Sequence, residues 1–313
     1  MPRIISLDAA AAAPCSLEQC AAALEDHRFD PRDEDSLAHA AGWLGRLGSN
    51  PDFLGDILIA QLAARHCAEP VAQGYSPQVV VLTPPGAGAF LRANIWPGES
   101  DTLVRSSGTS PFLYGLPHDH NFSFLTYGYF GPGYWSDYFE YEYEDVAGWT
   151  GELAHLRHTG RRRLESGTTM LYRAHRDVHL QLPADSLSVS LNVMHADPAT
   201  HWLDQYSFDV ERGTISGIVS DGPSEAFLRV AVGMGSAEAL DLAERFAARH
   251  PSDRMRLCAS DALAAAAIDI AARDQVWAKA ERSGSKLVAM EARLRRVELA
   301  DYSTPPASAS IAA

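Results

Sequence analysis

Gly115-Leu116-Pro117-His118-Asp119-His120, running on through Asn121 to Phe130, is the stretch from which the fold is read. Pro117 cannot sit inside a helix, and the β-favouring Phe122, Phe124, Tyr127, Tyr129 and Phe130 end at the turn Gly131-Pro132-Gly133. Side chains of an extended segment alternate between two faces. His118 and His120 therefore project to the same side, a ready-made pair of imidazole ligands.

Outward from this pair the texture stays β-like. Gln78 to Thr83 and Ala89 to Trp96 precede it, with a glycine- and serine-rich loop over Pro97 to Ser110 in between. Trp135 to Glu142, Glu152 to His158, Arg162 to Glu165, Thr168 to Ala174, Val178 to Leu182, Ser186 to Val193 and Gln205 to Val210 follow as short strands. Turn residues separate most of them, a pattern of sandwiches and barrels rather than βαβ units. Helical periodicity governs both ends. Leu17, Cys20, Ala21 and Leu24 share one face, as do Leu37, Ala40, Ala41, Leu44 and Leu47, and a third helix is expected over Pro51 to Cys67 behind the Ser49-Asn50-Pro51 start signal. From Pro223 the helical period returns over Ala226–Val232, Ala237–Arg249, Asp253–Ala272, Asp274–Ser283 and Ser285–Leu299. The expected organisation is a helical segment over 1–75 (closing at Gly74-Tyr75-Ser76-Pro77), a β-barrel over 76–215, helices over 216–302 and a disordered tail over 303–313.

The 313 residues, 46% hydrophobic, allow a sizeable core. A net charge of -14 argues against nucleic-acid and anionic membrane partners, and the one basic run, Arg161-Arg162-Arg163, is short. No stretch approaches the roughly 20 apolar residues of a membrane span, and the N-terminus lacks a hydrophobic signal core, so a cytoplasmic location is expected. The cysteines, Cys15, Cys20, Cys67 and Cys258, form no CxxC pair, which argues against a zinc cluster or a catalytic thiol. Histidine behaves differently: eight of the twelve lie between His118 and His201, so a metal is sought there.

The second half of the site reading is Gly167 to Asn192, in which a glycine opens a strand, a turn follows, His179 lies on the next strand and a β-rich run ends the segment. Together with Gly115 to Gly128 this resembles the two motifs of the cupin superfamily, over roughly residues 78 to 210. The resemblance implies a mainly β fold with α flanks, a double-stranded β-helix barrel, and one metal held by His118, His120 and His179. The glutamate that most cupins carry after the histidine pair is replaced here by Phe124 and Leu125. The pattern is thereby closest to the three-histidine thiol dioxygenases, whose first motif commonly reads Pro-x-His-Asp-His, close to Leu116-Pro117-His118-Asp119-His120 here, and whose third ligand is followed by a Ser-Leu-x-Val element, as at Ser186 to Val189. Those enzymes continue with a histidine and a tyrosine where this chain has Ser188 and Ser190.

Three neutral imidazoles would leave a divalent metal its full charge and open coordination positions. Iron(II) is the expected ion, with manganese, nickel, copper and zinc compatible with the ligand type. The implied activity is a metal-dependent oxidoreductase, a dioxygenase, acting on a small carboxylate-bearing substrate that Arg92 could grip by a bidentate pair. Glu140 is a candidate general base, its pKa raised by burial, and Glu140 or Glu142 is an alternative carboxylate ligand. His175 is the rival to His179 as third ligand. Tyr127, Tyr129, Trp135 and Tyr138 are candidates for an aromatic wall. The partners implied are substrate and dioxygen, with homo-oligomer assembly open; the alternatives are a non-redox isomerase or lyase, and a ligand-sensing or scaffold protein with a vestigial barrel.

Overall fold

The structure, a computed structural model, describes residues 1–6, 13–67, 78–84, 88–220 and 222–303. The change of texture at Gly74 to Pro77 and the tail beyond Ser303 lie outside these residues. Two compact units are present, one of residues 1–143 and 154–213, the other of residues 144–153 and 214–313.

In the first unit a short strand, β1 (Arg3–Ile5), precedes α1 (Leu17–Asp26), α2 (Glu34–Gly48) and α3 (Phe53–Cys67). Then come β2 (Val79–Val81), β3 (Ala89–Trp96), the small helix α4 (Thr102–Ser107), β4 (Phe124–Phe130), β5 (Tyr134–Glu140), β6 (Arg157–Leu164), β7 (Thr169–Tyr172), β8 (Asp177–Gln181), β9 (Ser188–His195) and β10 (Tyr206–Asp209). The helix starts follow local chemistry: Ser16 and Gln19 form a reciprocal capping box, and Asp33 accepts from the Ser36 amide. α3 begins two residues later than Pro51, because Asn50 turns its side chain to the Asp52 amide instead.

Nine of these ten strands form two antiparallel sheets, one ordered β1-β7-β4-β9-β3-β2 and one ordered β6-β5-β8. Alternation gives the larger sheet two different faces. Leu91, Ala93, Leu125, Leu171, Leu191 and Val193 pack with Leu37, Leu44 and Leu47 of the helices. Each such fully buried leucine contributes about 1.5–3 kcal/mol. The other face meets the smaller sheet through a second core that includes Trp96, Phe124, Met170, Tyr172 and Met194 on one side and Tyr134, Tyr138 and Leu164 on the other.

The expected barrel is not closed among the described residues. Only isolated bridges, Gly98 to Ala184 and Gly128 to Ser166, join the margins of the two sheets, and the short β1 and β2 form the outer edges of the larger one. Strand alternation specifies which side chains point inward; closure depends on edge strands meeting, which alternation does not encode. The two strands expected over Glu152–His158 and Arg162–Glu165 are one, β6, because Gly160 and a register shift opposite Tyr138 and Phe139 let the chain pair continuously with β5.

The second unit holds β11 (Thr214–Ile218) and the helices α5 (Pro223–Gly233), α6 (Ala237–Arg249), α7 (Asp253–Ala266), α8 (Ile270–Ala280) and α9 (Lys286–Ser303). Residues 144–153 belong here because Glu152, buried, accepts from the Ala147 and Gly148 amides and from Lys286 of α9, all at 2.6–2.7 Å. The run read as one helix over Asp253–Ala272 is broken: Ala267 is extended, and Asp269 caps a new helix by accepting from the Ala272 amide at 2.7 Å. No described helix is long and apolar enough to cross a membrane.

Candidate metal centre

Backbone pairing brings the two histidine segments together. His118 and His179 oppose each other across an antiparallel bridge and exchange both amide hydrogen bonds, at 3.1 and 3.0 Å. Alternation then puts His120 on the same side as His118, and turns Asp119 the other way. There the buried Asp119 carboxylate accepts from the Tyr141 hydroxyl at 2.7 Å and the Tyr206 amide at 2.6 Å. Burial pushes its carboxyl up to about 7, against the pull of those hydrogen bonds. Asp119 thus ties the histidine pair to β10.

The three imidazoles converge through their Nε2 atoms. His179 Nε2 lies 3.0 Å from that of His120 and 3.2 Å from that of His118, and all three rings are buried. Metal–nitrogen bonds of about 2.1 Å would set neighbouring nitrogens about 3.0 Å apart at right angles and about 3.4 Å apart in a tetrahedron. The observed edges fall within that interval. His118 Nδ1 donates to the Leu116 carbonyl at 2.8 Å, which leaves its Nε2 as a lone pair. Burial lowers the pKa of His118, and burial reinforced by neighbouring imidazoles holds His120 and His179 well below the ordinary histidine value. Three buried imidazoles whose Nε2 atoms meet at one point fit a divalent cation. Among the described residues they are the one group of three or more histidine, cysteine or acidic side chains so arranged.

The tips face a small cavity of about 80 Å³ between the two sheets. His118, His120, His179, Gln181 and Tyr134 form one wall. Arg92, Asn94 and Trp96 of β3, Asn192 of β9, Phe124 of β4 and Tyr172 of β7 form the other. Among the described residues Arg92 is the sole charged residue of the lining, and no carboxylate pairs with it. Burial pushes its pKa down to about 10, so it stays a cation at neutral pH. Its field also disfavours a proton on His120.

Other expected residues lie elsewhere. Glu140 is a correction: its carboxylate is held outside the cavity by Arg157, by Arg173 at 2.9 Å and by the Met1 ammonium, and it does not line the site. Although burial acts to raise its pKa, the hydrogen bonds from Met1 and Arg173 win and hold it at about 2, the reverse of a raised general base. Glu142 is exposed beside Arg176. His175, in a left-handed turn at φ 56°, packs its ring against that of Tyr143, tilted by 40°, rather than joining the cluster. Tyr127 and Tyr129 face the helices, Trp135 is partly exposed beside Arg163, and Tyr138 is packed within the second core, so the aromatic lining is instead Trp96, Phe124, Tyr134 and Tyr172. Asn94, Asn192 and Gln181 escaped sequence reading, although polar residues of one parity on apolar strands (Arg92-x-Asn94 and Ser190-x-Asn192) were a usable signal.

No protein-family model matches the chain, and no curated protein does. Among solved structures, hydroquinone 1,2-dioxygenase PnpCD, in complex with Cd2+ and 4-hydroxybenzonitrile, aligns at TM-score 0.27 and 13% identity over 41% of this chain and 68% of that one. DMSP lyase DddQ from Ruegeria pomeroyi DSS-3 aligns at TM-score 0.25 and 12% identity over 62% of this chain and 79% of that one. Vicilin from Corylus avellana aligns at TM-score 0.22 and 10% identity over 44% and 34% respectively. Similarity this low transfers neither fold nor activity, and the site's own geometry carries the functional reading.

Proposed function

We propose that this chain is a mononuclear metal-dependent enzyme in which His118, His120 and His179 hold iron(II), and that it is a dioxygenase-type oxidoreductase acting on a small carboxylate-bearing metabolite. The observation that carries the reading is the convergence of three buried, neutral Nε2 atoms opposite the unpaired guanidinium of Arg92. A divalent ion bound there would supply Lewis acidity with open coordination positions, and a redox-active one would also exchange electrons with dioxygen. The protein's contribution is placement. Arg92 orients an anionic group across the cavity from the imidazoles, and Trp96, Phe124, Tyr134 and Tyr172 exclude water around it.

The lining favours redox chemistry over abstraction of a proton from carbon. Among the described residues it offers no carboxylate or lysine as a base, and burial pushes the phenols of Tyr134 and Tyr172 well above the ordinary tyrosine value, so neither readily accepts a role as phenolate. Elemental analysis of the purified protein, followed by turnover of small carboxylates with and without dioxygen, tests the proposal. Stoichiometric iron and oxygen uptake coupled to product are expected. Turnover that persists anaerobically would hand the site to an isomerase or lyase, and a protein that takes up no metal would be left as a scaffold.

A further inference from the structure

The cavity contains more hydrogen-bonding capacity than an anionic group and a metal would use. Arg92 Nε, Asn192 Nδ2, Asn94 Oδ1 and Gln181 Oε1 are buried, and none has a hydrogen-bond partner. A buried polar atom without a partner costs about 1–3 kcal/mol, so several around one small cavity mark groups completed by what the cavity holds. Their arrangement is ordered. Arg92 and Asn192 are directly paired across β3 and β9, which places two donors side by side. Asn94 lies two residues along the same face of β3, and Gln181 lies two residues beyond His179 on the opposite wall.

A carboxylate consists of acceptors alone. It can satisfy Arg92 and Asn192 together, but it leaves the carbonyl oxygens of Asn94 and Gln181 unmatched. Those oxygens need an O–H or N–H. An ammonium group would supply one, yet it would enter a site that already holds the guanidinium and, when loaded, a divalent cation, with no carboxylate in the lining. A neutral donor meets no such penalty.

We propose that Asn94 and Gln181 are specificity residues that read a neutral hydroxyl or amide N–H, so that the substrate is a short hydroxy- or amido-substituted carboxylate rather than a plain or ammonium-bearing one. The inference rests on the metal-enzyme reading above and refines its substrate class. A site built to hydrogen-bond a substrate hydroxyl rejects the analogue lacking it because its own polar groups are left bare.

The test is calorimetric binding to the full-length, metal-loaded protein. The probes are 3-hydroxypropanoate with its methyl isostere butanoate and its ammonium analogue 3-aminopropanoate, and 2-hydroxypropanoate with 2-methylpropanoate. At least one hydroxy acid should bind ~10-fold or more tighter than its isostere, and 3-aminopropanoate should not outbind butanoate. In Asn94→Leu and Gln181→Leu the preference should shrink to about twofold, with the plain carboxylate held within about threefold of its wild-type affinity. Retained metal stoichiometry reports that each variant is folded, and the wild-type comparison stands even if a variant is not. Equal binding of hydroxy acids and isosteres, no binding by any probe, or a preference that survives both substitutions and so belongs to the metal, overturns the inference. A protein that takes up no metal overturns the enzyme reading itself.

Discussion

Replacing His179 with alanine is the sharpest perturbation, because its Nε2 touches both of the other ligand nitrogens, at 3.0 and 3.2 Å. Structural zinc sites with four ligands bind with about 10–16 kcal/mol, so one imidazole is worth roughly 2.5–4 kcal/mol, or two to three orders of magnitude in affinity. At a free metal concentration ~1,000 times the wild-type Kd, bound metal stabilises the fold by about 4.1 kcal/mol. The same metal would then stand at about 1–10 times the Kd of His179→Ala and stabilise it by only ~0.4–1.4 kcal/mol. The metal-free variant should itself lose about 1–3 kcal/mol, since a buried ring becomes a methyl group. The assay is metal content by elemental analysis together with chemical denaturation in the presence of metal and of chelator. His175→Ala, which alters the rival histidine, should keep the full metal-induced increment. One metal per chain in His179→Ala, or an undiminished increment, refutes the three-histidine centre.

Arg92→Leu should retain metal yet weaken carboxylate binding by roughly 10- to 150-fold, the range of a charged hydrogen-bonded pair, which calorimetry on the loaded protein measures. Gly133→Ala should destabilise the fold by more than ~2 kcal/mol in denaturant titration, because Gly133 has φ 77° and an added Cβ would lie 1.9 Å from the Leu164 carbonyl oxygen. Glu140 has a native pKa of about 2 against an ordinary 4.5, so its contribution to stability is present above pH 4.5 and lost as pH falls toward 2. Glu140→Gln should therefore flatten the decline of thermal stability across that window; an unchanged slope would count against the ion-pair cluster.

Much of both units was legible because the responsible forces are local. The strand Ala89–Trp96 and the helix Ala237–Arg249 form over the residues that alternation and helical period indicate. Ser16, Asp33 and Ser252 cap helices with their own side chains, a preference that needs no tertiary partner. The break at Asp269 was less legible, since an alanine-rich run satisfies helical period on both sides of it. β1 was missed because three residues carry too little pattern to register.

By itself, the sequence determined that His118 and His120 share a face and that Asp119 does not, because alternation is a property of each extended segment. It also supplied three imidazoles without a carboxylate at the usual following position, through Phe124 and Leu125. Only the tertiary structure decided that His179, 59 residues beyond His120, closes the triad while His175 turns away, for backbone pairing between distant segments sets which rings meet. The same pairing placed Arg92 beside Asn192 without an acidic partner and gave Glu140 four cationic ones. Whether a charge serves a site or a salt bridge depends on what folding brings within a few ångströms of it, and that distance is absent from the order of residues along the chain.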